Sequence, residues 1–152
     1  MDATLACIDQ TKQPVSFEPR FAWFPEGTRP SVALSGQRDW TCLFGAITED
    51  SDRFFSRFEA YVTAEHAEHF VLALCEEFQR DLIAVLDGAP YFRASVVTGR
   101  QVRDDLEFVP LPAYSPEVNP AEEYWRQLKG EFSNQSFRSL DELTTTIDDA
   151  LR

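Results

Sequence analysis

A chain of 152 residues suits one domain with one core, and a hydrophobic content of 43%, rich in Phe, excludes a disordered protein. No stretch approaches the ~18 apolar residues of a membrane span. The Met1–Leu5 start also lacks a basic or signal-peptide pattern, so a cytoplasmic protein with no membrane partner is expected. Asp plus Glu number 26 against 14 Lys plus Arg, a net charge of -12, and charge alone argues against nucleic acid, because phosphate contacts demand basic surface.

Strong acidity with only Lys12 and Lys129 as lysines also fits an intracellular, halophilic protein, in which salt screens the self-repulsion. Cys7, Cys42 and Cys75 are far apart and read as small buried apolar residues, without metal or disulfide spacing.

In chain order, the run from Thr4 to Asp9 reads as a buried strand closed by an acid. Residues 15–24 read as extended but broken by Pro19, and Pro25 to Pro30 as a turn or loop. Strands are expected over 40–48 and 53–61, joined by an acidic turn at 49–52. Ala67, Phe70, Val71, Leu74, Cys75 and Phe78 then recur at helical spacing, which predicts an amphipathic helix over 64–79. His66 and His69 fall on its polar side and read as a solvated face, since no third metal ligand accompanies them.

The unbroken run Leu82 to Leu86, ending at Asp87, predicts a central strand buried on both faces. A helical or irregular segment over 92–103 and a short strand over 106–111 follow. After a proline-rich loop, Asn119 and Pro120 are the favoured N-cap and N1 residues of a helix running to Phe132. Ser139 and Glu142 form a capping box for a last helix, which reaches Arg152 without a stop signal and predicts a truncated C-terminus. Antiparallel strands followed by strand–helix–strand–helix predict a mixed α/β sheet.

Two apolar strands each close on an aspartate, Asp9 and Asp87. As neighbours about 4.8 Å apart, they would present two mutually repelling carboxylates at one sheet edge, an arrangement that a hard divalent cation relieves. The helix after Asn119 offers Glu122 and Glu123 as a third acid. Against the stripe of Ala121, Trp125, Leu128 and Phe132, Glu122 stands about 85° from the centre at ~100° per residue. Glu123 points nearly opposite the stripe, so Glu122 is preferred and Glu123 is expected to face solvent.

The stretch Val85-Leu86-Asp87-Gly88-Ala89-Pro90, with Ser115-Pro116-Glu117-Val118-Asn119-Pro120-Ala121-Glu122 followed by Trp125 and Lys129, resembles the DDE-type transposases of the Tc/mariner superfamily. It is most similar to their insertion-sequence branch. The 34 residues between Asp87 and Glu122 match that family's spacing, and Cys7-Ile8-Asp9-Gln10 matches its first aspartate. Where the family usually has Glu, Asn and His, this chain has Gln10, Gly88 and Phe92.

The resemblance covers nearly all of 1–152 as a catalytic domain. It implies a ribonuclease-H-like fold, a five-stranded mixed sheet with three antiparallel strands and then parallel ones, flanked by helices. It also implies that Asp9, Asp87 and Glu122 hold two Mg²⁺ or Mn²⁺ ions for DNA strand cleavage and strand transfer. The expected partners are DNA, as transposon ends and target, and a second copy in a homodimer. Because the first strand begins by Leu5, the family's helix-turn-helix region is expected to be supplied by a separate or upstream segment. The alternative is a catalytically inactive remnant that acts as a folded interaction domain. Arg126 and Lys129, on the helix of Glu122, are DNA-binding candidates, and Arg29 and Arg38 are further ones in the early loop.

Overall fold

The structure is a computed structural model that describes residues 3–16, 22–31, 38–58, 62–87, 90, 104–112, 115–133 and 135–152. Five strands among them form one sheet: β1 (Thr4–Pro14), β2 (Trp40–Thr48), β3 (Arg53–Phe58), β4 (Leu82–Leu86) and β5 (Leu106–Pro110). Its order is β3-β2-β1-β4-β5. β1 pairs antiparallel with β2, and β2 with β3, whereas β4 runs parallel to both β1 and β5. The expected mixed sheet is therefore the observed one.

Among the described residues, three α-helices cover the sheet: α1 (Ala64–Phe78), α2 (Pro120–Phe132) and α3 (Leu140–Ala150). Strand alternation assigns the faces. Ala6, Ile8, Phe44, Ala46, Leu82, Ala84 and Leu86 point to α1 and pack with its Ala67, Phe70, Val71, Leu74 and Cys75. Burying each of the larger side chains contributes about 1.5–3 kcal/mol, and Phe70 stacks on Phe44 with ring centroids 5.1 Å apart. On the other face, Val15 and Leu43 pack with Trp125, Leu128 and Phe132 of α2 and with Leu143 and Ile147 of α3.

Local chemistry sets the helix ends. Thr63 caps α1 by accepting from the His66 N–H, while His66 Nδ1 accepts from the Thr63 N–H at 3.2 Å. Gln79 closes the helix in the left-handed region, with φ 48°. Asn119 caps α2 by accepting from the Ala121 N–H at 3.0 Å, and Pro120 occupies its first turn. Ser139 caps α3, but Glu142 accepts from the Arg138 N–H rather than from that of Ser139, so the expected capping box is displaced by one residue.

One strand boundary differs from expectation. β1 does not close at Asp9 but continues through it to Pro14, because Gln10 to Pro14 pair with Phe44 to Trp40 through the backbone. Ladder bonds need no apolar side chain, so the polar run Gln10-Thr11-Lys12-Gln13 hides the strand from hydrophobic patterning. β3 is described over Arg53–Phe58, and residues 59–61 of the strand expected over 53–61 lie outside the described set. The segment expected over 92–103 also lies outside it. No described helix is long and apolar enough to cross a membrane.

Candidate functional site

β1 and β4 lie side by side in parallel register, with Ile8 opposite Leu86. One residue further on, Asp9 and Asp87 stand together as β4 ends. Alternation turns both away from α1, since Ile8 and Leu86 are the residues that pack against that helix. Asp9 is 4% exposed and Asp87 half-buried.

Asp9 is the most perturbed acid of the group. Burial is the main cause, and the negative charges of Glu122 and Asp87 add to it. Hydrogen bonds from the Gln10 backbone N–H and from Trp125 pull the other way. The balance raises its pKa from 3.8 to about 7. A buried carboxylate facing two others is the situation in which the neutral acid, or a bound cation, is favoured over the bare anion.

Trp125 reaches Asp9 from α2. Its indole Nε1–H donates to Asp9 Oδ2 at 3.1 Å, and the ring is buried. Phe55 and Tyr124 flank it, with centroids 5.7 and 5.8 Å away. Beneath the indole lies Gly45, the β2 residue paired with Asp9. A Cβ at that position would stand 2.7 Å from two indole carbons and 2.9 Å from the Phe55 ring. Glycine is therefore required for close approach. Gly45→Ala is expected to lower stability by about 1–3 kcal/mol through overpacking. Urea unfolding checks this, and a change near zero would show that the indole moves aside without cost.

Glu122 and Glu123 are both exposed. Ala121, Trp125, Leu128 and Phe132 are the buried stripe of α2. Glu123 is exposed and held by Arg126, whose Nη2 and Nε lie 2.6 and 2.8 Å from its oxygens, and by Gln127 at 2.9 Å. Those bonds lower its pKa to about 2, with Arg126 the largest cause. Glu122 is exposed but close enough to Asp9 for its charge to act there.

An open cleft of about 590 Å³ runs past Glu122, lined also by Thr11, Glu117, Asn119, Glu123, Trp125, Arg126 and Lys129. Both basic candidates on α2 thus border the site. They are unequal, because Arg126 is committed to Glu123, whereas Lys129 makes no ion pair among the described residues. Arg29 and Arg38 are exposed and do not line this cleft.

Among the described residues, no three His, Cys, Asp or Glu side chains are grouped closely enough to hold a metal ion. Asp87 and Glu122 each come within electrostatic reach of Asp9, but the three do not form a closed ligand set. His66 is a helix-capping group whose ring lies tilted against Phe58, with centroids 4.9 Å apart, and His69 is exposed. The three cysteines are buried and unbridged. Gly88 and Phe92 lie outside the described residues.

The family model of the DDE superfamily endonucleases matches residues 4–144. The chain belongs to that family. As a DDE superfamily domain it superposes on the Mos1 mariner transposase paired-end complex with Mn with a TM-score of 0.74 at 18% identity, over 97% of this chain and 48% of that one. Against the catalytic domain of Mos1 mariner transposase the TM-score is 0.64 at 16% identity, over 96% and 68%. A simian T-cell lymphotropic virus intasome chain gives 0.61 at 11% identity, over 94% and 46%.

At these identities the likeness shows the fold, which is the ribonuclease-H-like one expected for a Tc/mariner-type DDE transposase domain. The chain spans about half the length of the full Mos1 transposase chains it matches, 47% in one paired-end complex. A comparison with curated proteins finds no match.

Two features of this DDE domain escaped the sequence reading. Trp125 sits on the apolar stripe, and its helical spacing marked it as core without marking its N–H as a donor to Asp9. Gly45 is an isolated glycine inside an apolar strand, which is itself a signal for close backbone approach.

Proposed function

We propose that this domain carries out divalent-metal-dependent DNA strand cleavage and strand transfer at transposon ends, in the cytoplasm, with Asp9, Asp87 and Glu122 as the metal-holding carboxylates. The observation that carries the proposal is the buried Asp9 carboxylate, whose pKa is raised to about 7 partly by the charges of Glu122 and Asp87. Like charges gathered around a buried acid fit a cation site, and an all-oxygen donor set suits Mg²⁺ or Mn²⁺. Solved Mos1 paired-end complexes with Mg and with Mn support the same choice of ions.

Two such ions would supply nucleophile activation and charge relief at the leaving oxygen for an in-line phosphoryl displacement. The chain's own groups do the rest. Asp9 is held in place by Trp125 and by the Gln10 N–H, and it would give up its proton to hold a cation. Glu122, on the exposed first turn of α2, is the carboxylate that side-chain rotation would bring inward. Asp87 closes the site from β4. The cleft beside Glu122 admits a DNA backbone, with Lys129 as a phosphate contact. A homodimer and a helix-turn-helix segment supplied from elsewhere belong to the same proposal, by family analogy.

The two basic residues give a discriminating result. Lys129→Ala is expected to weaken DNA binding and to lower the salt slope of the affinity by about one. Arg126→Ala is expected to change both far less, because Glu123 already neutralises it. Fluorescence anisotropy across a salt series measures both, and equal losses would remove the distinction. The function itself is tested by incubating the chain with Mg²⁺ and DNA carrying the element's terminal repeats. Specific nicking supports the enzyme, whereas no nicking at any metal concentration supports the folded remnant.

A further inference from the structure

We infer that Trp125 is a positioning residue for Asp9: its indole N–H holds Oδ2 and fixes the orientation in which the carboxylate meets an incoming divalent cation, and Gly45 is the strand position that makes this possible. The inference rests on the metal-site reading above.

A carboxylate offers about four lone-pair positions on two oxygens, so an unrestrained Asp binds a cation in several ways. Here one oxygen is committed to a buried donor at 3.1 Å, from a side chain 116 residues away in sequence. Packing alone does not require that donor, because a phenyl ring would fill an apolar space beside Phe55 without introducing a buried N–H. The contact is also built from both sides. β2 places its glycine directly opposite Asp9, and any larger side chain there would collide with the indole. Trp125 stands three residues after Glu122 on α2, so one turn of one helix presents both the candidate ligand and the group that orients Asp9. Such outer contacts fix ligand direction and tune affinity.

The test uses the 152-residue chain with ¹⁵N-labelled tryptophan. The Trp23 and Trp40 indole signals are identified with Trp23→Phe and Trp40→Phe, which leaves that of Trp125. Titration with Mg²⁺ is expected to move the Trp125 N–H resonance with the same midpoint as calorimetric binding, while the other two stay in place. Trp125→Phe is expected to weaken Mn²⁺ binding about 10–100-fold. A Trp125 resonance unmoved at saturating Mg²⁺, or a Trp125→Phe affinity within about twofold of the parent, overturns the inference while leaving the metal site standing. If Trp125→Phe does not fold, the resonance in the parent chain decides alone. If the parent binds neither cation, the metal-site reading fails and this inference falls with it.

Discussion

Asp87→Asn or Glu122→Gln, made singly, is expected to lower Mg²⁺-dependent cleavage of terminal-repeat DNA by about 10³-fold or more. Bound divalent ions contribute several kcal/mol of charge stabilisation to a phosphoryl-transfer transition state, and each factor of ten in rate corresponds to about 1.4 kcal/mol. Removing one anionic oxygen ligand from the proposed three-carboxylate site would remove most of that contribution. Asp87 is half-buried and Glu122 exposed, so neither change is expected to disturb the core. Thermal unfolding of each variant should therefore stay near that of the parent while cleavage disappears. Chelation of divalent ions should give the same loss in the parent. Cleavage within about tenfold of the parent in either variant would remove that residue from the metal site.

Stability should depend on pH in a direction opposite to that of most acids. Asp9 has a folded-state pKa of about 7 against an ordinary value of 3.8. Between those values the folded chain binds more protons than the unfolded chain. The contribution of Asp9 to stability without divalent ions therefore falls as pH rises from about 4 to about 7 and is level beyond either end. A shift of this size corresponds to about 4 kcal/mol. That figure applies with little screening, since the residue is 4% exposed.

Asp9→Asn keeps an oxygen to accept the Trp125 N–H and removes the charge. The variant is expected to be more stable than the parent at pH 8, by up to about 10 °C in Tm for a domain of this size, while losing cleavage. Other acids titrate in both chains, so the difference between the two stability curves isolates Asp9. Parallel curves from pH 4 to pH 8 would show that Asp9 is not perturbed as argued. Added Mg²⁺ should close the gap above pH 7, because cation binding compensates the same charge.

The acidic surface and the DNA-processing family need not conflict. The net charge of -12 belongs to the whole chain, and the cleft itself is of mixed charge, with Glu117, Glu122 and Glu123 beside Arg126 and Lys129. There Lys129 is the basic group not already paired with a neighbour among the described residues. Screening by salt weakens the long-range repulsion more than it weakens a contact inside a cleft.

Much of the architecture is legible in the amino-acid order. The helical spacing of Ala67, Phe70, Val71 and Leu74, the apolar block Leu82–Leu86 and the Asn119-Pro120 start each encode an element within a few residues of itself. The angle that Glu122 and Glu123 each make with the buried stripe is likewise local, because an α-helix fixes it. Tertiary structure alone decided the rest. The continuation of β1 through Asp9 depends on backbone pairing with a strand about 30 residues on, and backbone bonds leave no mark in side-chain patterning. The Trp125–Asp9 bond, and the need for Gly45 beneath it, join three elements that no periodicity relates. Burial, through its effect on the charged form of Asp9, belongs to the assembled sheet and helix together, so the property that best marks the site arises only once the chain is folded.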